Sequence, residues 1–185
     1  GLDDVVGQAV KGIRDQVFIA TKVSGSHLRH DDVLRAADAS LRELETDSIH
    51  LYQVHWPNSS VPIKETMQAM ATLVDRKQVK YIGVSNFSTR ELREAQAALR
   101  NYPLVSNQVL YNLNDREIER DLLSYCQKHD VTIIAYTPLD DGRLATKSRW
   151  RRSRGMNVLA EIAAQTHKTL AQVALNWCLS RPNVI

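Results

Sequence analysis

Short runs of β-branched and aromatic residues alternate along the chain with longer stretches of helical period. The runs predict five strands, at residues 17–22, 49–55, 81–85, 104–108 and 131–136. A sixth strand is predicted to begin at Val184. Strands separated by helices in this way are typical of parallel sheets, in which each connection crosses back over the sheet.

The helix between the first two strands is predicted to begin at Asp31, and its apolar residues recur every three or four positions. They form one predicted buried face: Leu34, Ala37, Leu41 and Leu44. The next helix is predicted to begin near Pro62, because proline is tolerated in a first helical turn. Its predicted core residues are Met67, Met70 and Val74.

Three further helix starts combine an N-cap residue with Glu or Gln three positions later, which is the capping-box signature. The pairs are Ser88 with Glu91, Asn114 with Glu117, and Thr169 with Gln172. The last of these helices is predicted to stop before Pro182.

Helices between successive strands favour an α/β fold, and the (β/α)8 TIM barrel fits this pattern best. A doubly wound sheet is the alternative. A TIM barrel takes about 250 residues, whereas the 185 residues here supply about five to six strand-helix units. We therefore expect residues 1–185 to form a single barrel domain that lacks the first strands and the last strand-helix region.

Composition and charge exclude several classes of protein. Apolar residues make up 43% of the chain, and the formal net charge is only +3, short of the basic field that nucleic-acid binding usually needs. No apolar run reaches the roughly 18 residues that cross a bilayer. Cys126 and Cys178 match neither a disulfide framework nor a zinc motif. We expect a cytoplasmic protein without a nucleic-acid, membrane or metal partner, and its oligomeric state stays open.

Each predicted strand ends on a polar side chain, and in a parallel barrel the carboxyl ends of the strands surround the catalytic mouth. The candidate site residues are Lys22, His55, Ser85, Asn86, Gln108 and Tyr136. Any one of them has an ordinary structural explanation, as a solvated strand end, a turn cap or a packed ring. Five such strand ends together favour a common site.

The same segments resemble the aldo-keto reductases. The matching motifs are FIATKV at residues 18–23, LYQVHWP at 51–57, GVSNFS at 83–88, NQ at 107–108, AYTPL at 135–139 and TLAQVALNW at 169–177. They occur in the family's order and extend over nearly the whole chain.

This resemblance implies a (β/α)8 barrel that reduces an aldehyde or ketone with NADPH, through a catalytic Asp, Tyr, Lys and His. Lys22 matches the family's lysine and His55 its histidine. A carbonyl that accepts hydride develops negative charge on oxygen, which needs a proton donor and polarising groups. The family's proton donor is a tyrosine. Its usual pKa is about 10, and a nearby cation lowers this pKa. No residue here matches that tyrosine or the aspartate, and we expect both upstream of Gly1.

The resemblance also implies the cofactor contacts. Ser85, Asn86 and Gln108 match the residues that hydrogen-bond the nicotinamide carboxamide. Tyr136 matches the aromatic residue that stacks on the nicotinamide, and Thr137 and Leu139 match the loop around the pyrophosphate. Trp56 would line the substrate pocket, with ordinary rim packing as the alternative. Five of the eight residues at 147–154 are basic, and Arg149 or Arg151 is a candidate phosphate contact.

Two other functions stay open. A barrel lysine at a strand end can act as a Schiff-base nucleophile, so Lys22 is also compatible with a lyase. A member of the family can instead bind the cofactor without catalysis, as a regulatory or structural subunit of a larger assembly. The presence of His55 favours the reductase.

Overall fold

The chain alternates between strands and helices, as the sequence pattern predicts. The computed structural model describes residues 1–146 and 153–185. It divides within one strand into two compact units, Gly1–Asn107 and Gln108–Ile185. The expectation of a single domain over residues 1–185 stays a prediction.

The first unit consists of parallel strands joined by helices. Its elements are α1 (Leu2–Ala9), β1 (Ala20–Val23), α2 (His30–Glu43), β2 (Ile49–Val54), α3 (Ile63–Asp75), β3 (Val79–Ser85), α4 (Thr89–Leu99) and the first part of β4 (Leu104–Leu110). Strands β1, β2 and β3 pair in parallel, and the strand order of the sheet is β1-β2-β3-β4-β5. Chain order and strand order coincide, as in a barrel built from successive strand-helix units.

The helices of the first unit bury one face each against the sheet and one another. Helix α2 packs on β1 and α3, and α3 packs on β3 and α4. The buried residues of α2 are Val33, Ala37 and Ser40, and its C-cap residue Leu44 is also buried. The buried face therefore differs in part from the predicted one. Ala37 and Leu44 are buried as predicted, whereas Leu34 and Leu41 are only half-buried at the edges of the face. Met67 and Met70 are fully buried as predicted, whereas Leu73 takes the core position predicted for Val74.

The second unit continues the same pattern. It contains the end of β4, a 3₁₀ helix (Glu117–Arg120), α5 (Leu122–Lys128), β5 (Thr132–Tyr136), α6 (Arg154–Thr166) and α7 (Leu170–Leu179). Val184 pairs in parallel with Ile133 of β5, where the sequence predicts a further strand to begin. One apolar cluster of the unit is formed by Leu144, Leu159, Ala163, Leu170 and Ala174.

Two of the three predicted capping boxes are present. Ser88 with Glu91 and Thr169 with Gln172 make both reciprocal hydrogen bonds. The box predicted at Asn114 is wrong, because the side-chain Oδ1 of Asn112 accepts the N–H of Asn114 at 2.9 Å and forms a turn there. Helix α5 begins only at Leu122.

Helices long and apolar enough to cross a membrane are absent from the described residues.

Candidate active site

The register of the first three strands aligns Lys22 with two residues of the neighbouring strands. Lys22 lies opposite Gln53, and Gln53 lies opposite Gly83. Because side chains alternate between the two sides of a strand, these three residues share one side of the sheet, the Lys22 face. His55 and Ser85 come two positions after Gln53 and Gly83, so they extend this face at the carboxyl end of the sheet.

His55 directly follows β2, and its side chain is exposed. Its backbone N–H donates to the carbonyl oxygen of Val23 at 2.9 Å, so the pairing of β1 with β2 continues to this residue. The imidazole lies 6.5 Å from the ring of Trp56, between ring centroids. A ligand can therefore reach an imidazole whose backbone is held by the sheet.

Below these strand ends, the Lys22 face carries a buried polar pair. Ser106 Oγ donates to Gln53 Oε1 at 2.9 Å, and both residues are at most 2% exposed. Gly83 provides the space for this pair, because a Cβ there would overlap Ser106 Oγ and lie 2.9 Å from Gln53 Cγ. The pair holds its hydrogen bond in a low-dielectric setting, where such bonds are strong.

Asn86 adopts a left-handed backbone conformation directly after β3, with φ of 62°. Its Nδ2 donates to the carbonyl of His55 at 3.2 Å and to Ser85 Oγ at 3.0 Å. Ser85 itself is 2% exposed. Three of the predicted site residues are thus joined by hydrogen bonds within the first unit.

Trp56 lies at the rim, and 51% of the residue is exposed. Gly25 permits its close approach, because a Cβ at Gly25 would lie 3.0 Å from the Trp56 carbonyl oxygen. Asn58 Nδ2 donates to the Gly25 carbonyl at 2.9 Å and joins the loops after β1 and β2. The backbone of Trp56 is therefore held in place, while much of its indole ring stays exposed.

In the second unit, Gln108 lies on β4, and Tyr136 is the last residue of β5. The Tyr136 carbonyl accepts the N–H of Tyr111 at 3.5 Å. Thr137 follows with φ of 52°, a conformation that β-branched residues rarely adopt. Asn112, which is 1% exposed, donates from Nδ2 to the Thr137 carbonyl at 3.1 Å.

The turn after Thr137 is bound on both sides. Leu139 is half-buried and packs its side chain against the apolar cluster of the second unit. Asp140 accepts hydrogen bonds from Asn114 Nδ2 at 2.8 Å and from Arg143 Nη1 at 3.3 Å. The Asp140 charge is therefore engaged within the turn.

Two tyrosines are poor proton donors by their surroundings. Tyr52 is fully buried on the side opposite the Lys22 face, and this burial, reinforced by Asp3, raises the pKa of its hydroxyl. Burial and a hydrogen bond to Glu119 raise the pKa of Tyr111 to about 12. An acid for carbonyl reduction requires the opposite shift.

Several residues of this region escaped sequence reasoning. No spacing signal in the sequence distinguishes Gln53, Ser106 and Asn112. Only the strand register and the hydrogen bonds identify them. The candidate phosphate contacts Arg149 and Arg151 lie outside the described residues. Within the described ranges, no cluster of His, Cys, Asp and Glu suits a metal ion.

Comparison with known proteins assigns the chain to a class. The profile of the Aldo/keto reductase family matches residues 3–185. This chain belongs to that family, as its motifs indicate.

Individual relatives agree with this assignment. The methylglyoxal reductase YeaE of Escherichia coli (strain K12) is 35% identical over 100% of this chain and 63% of its own length. The aldo-keto reductase YhdN of Bacillus subtilis (strain 168) is 38% identical over 97% of this chain and 63% of its own length. The chain thus spans 63% of the length of both relatives.

Solved structures share the fold. The thermostable aldo-keto reductase Tm1743, crystallised with the inhibitor epalrestat, superposes with a TM-score of 0.91 at 42% identity, covering 99% of this chain and 65% of that one. An aldo/keto reductase from Klebsiella pneumoniae in complex with NADP and acetate gives 0.85 at 35% identity, over 100% of this chain and 63% of that one. The predicted fold class, α/β of the (β/α)8 type, is confirmed.

Proposed function

We propose that the protein is an NADPH-dependent oxidoreductase that reduces an aldehyde or ketone to an alcohol by hydride transfer. The observation that carries this proposal is the register of the first unit. It aligns Lys22 with Gln53 and Gly83 on one side of the sheet, and His55 and Ser85 follow two positions after Gln53 and Gly83 on that side. Family membership supplies the reaction class.

The residues present suit a nicotinamide cofactor. A carboxamide has one acceptor and two donor positions, which hydroxyl and amide side chains can satisfy. We assign this recognition to Ser85, Asn86 and Gln108, the stacking contact to Tyr136, and the pyrophosphate loop to Thr137 with the Leu139 backbone. NADPH bound in this way supplies the hydride.

Lys22 and His55 act on the oxygen of the substrate carbonyl. We assign to neutral His55 a hydrogen bond that orients and polarises this carbonyl, with Trp56 beside it as the substrate-contacting ring. We assign to Lys22 the cation that lowers the pKa of the proton-donating tyrosine, which lies outside residues 1–185. Both effects grow as negative charge develops on oxygen, so they belong to the transition state.

Small reactive aldehydes are suitable first substrates. The relatives include the methylglyoxal reductase of Escherichia coli and a glyoxal reductase of Bacillus subtilis, the latter 32% identical over 90% of this chain. The imidazole of His55 and the indole of Trp56 are both exposed, so a small carbonyl compound can reach them. We propose methylglyoxal and glyoxal as the first carbonyl compounds to assay.

Substitution of the two proposed catalytic residues tests the proposal in the full-length protein. Lys22→Met and His55→Ala should each lower kcat at least about 100-fold while the Kd for NADPH changes little, because each removes a transition-state contribution. Lys64→Met and His27→Ala, both at exposed positions, are matched controls that should keep wild-type turnover. Wild-type kcat in Lys22→Met or His55→Ala would refute the role given to that residue.

The same preparation separates the alternative functions. NADPH binding without turnover on a panel of aldehydes would indicate a cofactor-binding subunit. Borohydride trapping of a carbonyl ligand on Lys22 would indicate the lyase. The reductase requires NADPH oxidation that depends on the added aldehyde and no trapped adduct.

A further inference from the structure

Asparagine side chains join neighbouring segments at the carboxyl end of the strands. In the first unit, Nδ2 of Asn58, Asn86 and Asn107 donates to a backbone carbonyl of another segment, and in the second unit Nδ2 of Asn112 does the same. Two of the four differ from the others because they are buried. Asn107 is 0% exposed and Asn112 is 1% exposed.

Asn107 holds both polar groups of one residue. Its Nδ2 donates to the carbonyl of Phe87 at 2.8 Å, and its Oδ1 accepts the N–H of Phe87 at 3.4 Å. Phe87 is buried and directly follows Asn86. The two bonds fix the backbone on the carboxyl side of Asn86, because a buried polar group that loses its partner is costly.

Asn112 acts in a similar way within the second unit. Its Oδ1 accepts the N–H groups of Asn114 and Asp115, each at 2.9 Å. Its Nδ2 is thereby directed to the carbonyl of Thr137, 3.1 Å away. One buried amide thus joins the turn after β4 to the turn after β5.

The two buried amides hold residues whose backbone is left-handed or directly follows a left-handed residue. Asn86 and Thr137 have φ of 62° and 52°. Left-handed backbone is unfavourable for a β-branched residue such as Thr137, and such conformations persist where the surroundings impose them. Strained residues of this kind concentrate at ligand sites. Both are proposed cofactor contacts.

We propose that Asn107 and Asn112 are positioning residues for the cofactor site: each holds a left-handed residue, Asn86 or Thr137, in the conformation that contacts NADPH. This inference rests on the proposed function. It adds two residues that touch no cofactor and act through the backbone that they bind.

Isosteric variants test this role in the full-length protein. Asn107→Asp and Asn112→Asp keep the Oδ1 acceptor but replace the Nδ2 donor by an oxygen, which cannot donate to the Phe87 or Thr137 carbonyl. Asn101→Asp and Asn157→Asp are matched controls at exposed positions, one in each unit. If Asn107→Asp does not fold, Asn107→Ser takes its place, because it retains one small polar group.

Two measurements are made on each variant. Hydrogen–deuterium exchange without cofactor should become faster at residues 86–88 in Asn107→Asp and at residues 137–142 in Asn112→Asp. NADPH titration should show binding weakened about tenfold or more, the effect of losing one buried hydrogen bond. For Asn107→Asp, the affinity for 2′,5′-ADP, which has no nicotinamide, should change less than about twofold. For Asn112→Asp, the KM for NADPH should rise while kcat changes little.

The outcomes are distinguishable. Unchanged exchange in both variants overturns the positioning role, and so does wild-type NADPH affinity in variants with faster exchange. An equal loss of affinity for NADPH and 2′,5′-ADP in Asn107→Asp, or a fall in kcat without a rise in KM in Asn112→Asp, assigns these residues a general structural role instead. If the wild-type protein binds no NADPH, the proposed function fails with this inference; the exchange data then show whether the amides still hold the two turns.

Discussion

Gly83 lies where the Lys22 face has no space for a side chain. A Cβ there would meet the buried pair of Gln53 and Ser106, in which Ser106 Oγ donates to Gln53 Oε1. Neither partner can move into open space, because both are buried within the sheet. The glycine is thus required by packing at this position, since its φ needs no left-handed conformation.

We expect Gly83→Ala to lower the free energy of unfolding by about 1–3 kcal/mol, the usual cost of overpacking a core. It should also lower kcat, because the displaced pair lies directly below the strand ends. Gly155→Ala is the control, since among the described residues its added Cβ would approach Ser153 Oγ at 3.9 Å and no closer atom outside its own helix backbone and chain neighbours. Chemical denaturation measures the free energy of unfolding of both variants. A Gly83→Ala protein as stable as the wild type would show that the buried pair tolerates displacement.

His50 is held in its neutral form at the other end of β2. Its Nδ1 accepts the N–H of Ile19 at 3.1 Å, which requires an unprotonated nitrogen. Burial, with help from Arg14 and Lys80, lowers its pKa from the usual 6.5. The unfolded chain therefore binds a proton more readily than the folded chain, and the stability due to this residue is complete above pH 6.5 and is lost as the pH falls below it.

Thermal unfolding between pH 7.5 and 5 tests this effect. The Tm of the wild-type protein should fall on acidification, and the Tm of His50→Asn, which keeps an acceptor but does not titrate, should fall less. His27→Asn, at an exposed position, should follow the wild-type curve. Parallel curves for His50→Asn and the wild type would contradict the assignment.

At the scale of elements, local hydrogen-bond patterns decide where helices begin. Ser88 accepts the N–H of Glu91 at 3.3 Å, and Glu91 Oε2 accepts the N–H of Ser88 at 2.8 Å, so α4 begins with both groups satisfied. We expect Ser88→Ala to cost about 1 kcal/mol of unfolding free energy. Ser59→Ala, in an exposed loop, should cost almost nothing. A loss below about 0.3 kcal/mol in Ser88→Ala would show that tertiary packing alone holds this helix start.

The same patterns explain which elements the sequence can predict. Five strands stand out because β-branched runs between helices have few other interpretations, and all five are confirmed within a few residues. The helix start predicted at Asn114 is wrong because the side chain of Asn112, two residues earlier, accepts the backbone N–H of Asn114. A competing side chain of this kind carries no separate signal in one sequence, since asparagine favours turns and caps alike.

The face of α2 shows a second limit. Hydrophobicity favoured Leu34 and Leu41, yet the small Ser40 is buried instead, at 8% exposure. The elements that pack on a helix decide which of its sides is buried, and for α2 these include β1 and α3. Helical periodicity alone therefore predicts the existence of the face better than its exact direction.

At the scale of the whole molecule, the site is predictable where topology supplies it. Parallel strands with helical connections bring their carboxyl ends to one edge, so the polar residues at those ends could be named from the sequence. The residues that hold them, such as Asn107 and Asn112, act through hydrogen bonds between segments distant in sequence. Those bonds follow from register and turn geometry, which a single sequence does not show.

The proposed function requires that hydride pass from NADPH to a carbonyl carbon under the influence of Lys22. The most direct measurement uses NADPH deuterated at both C4 positions of the nicotinamide, with methylglyoxal and the full-length protein, and mass spectrometry of the alcohol. We expect one deuterium on the carbinol carbon for the wild type, and a rate at least about 100-fold lower in Lys22→Met with unchanged NADPH affinity. A product without deuterium, or an equal rate in Lys22→Met, would contradict the account.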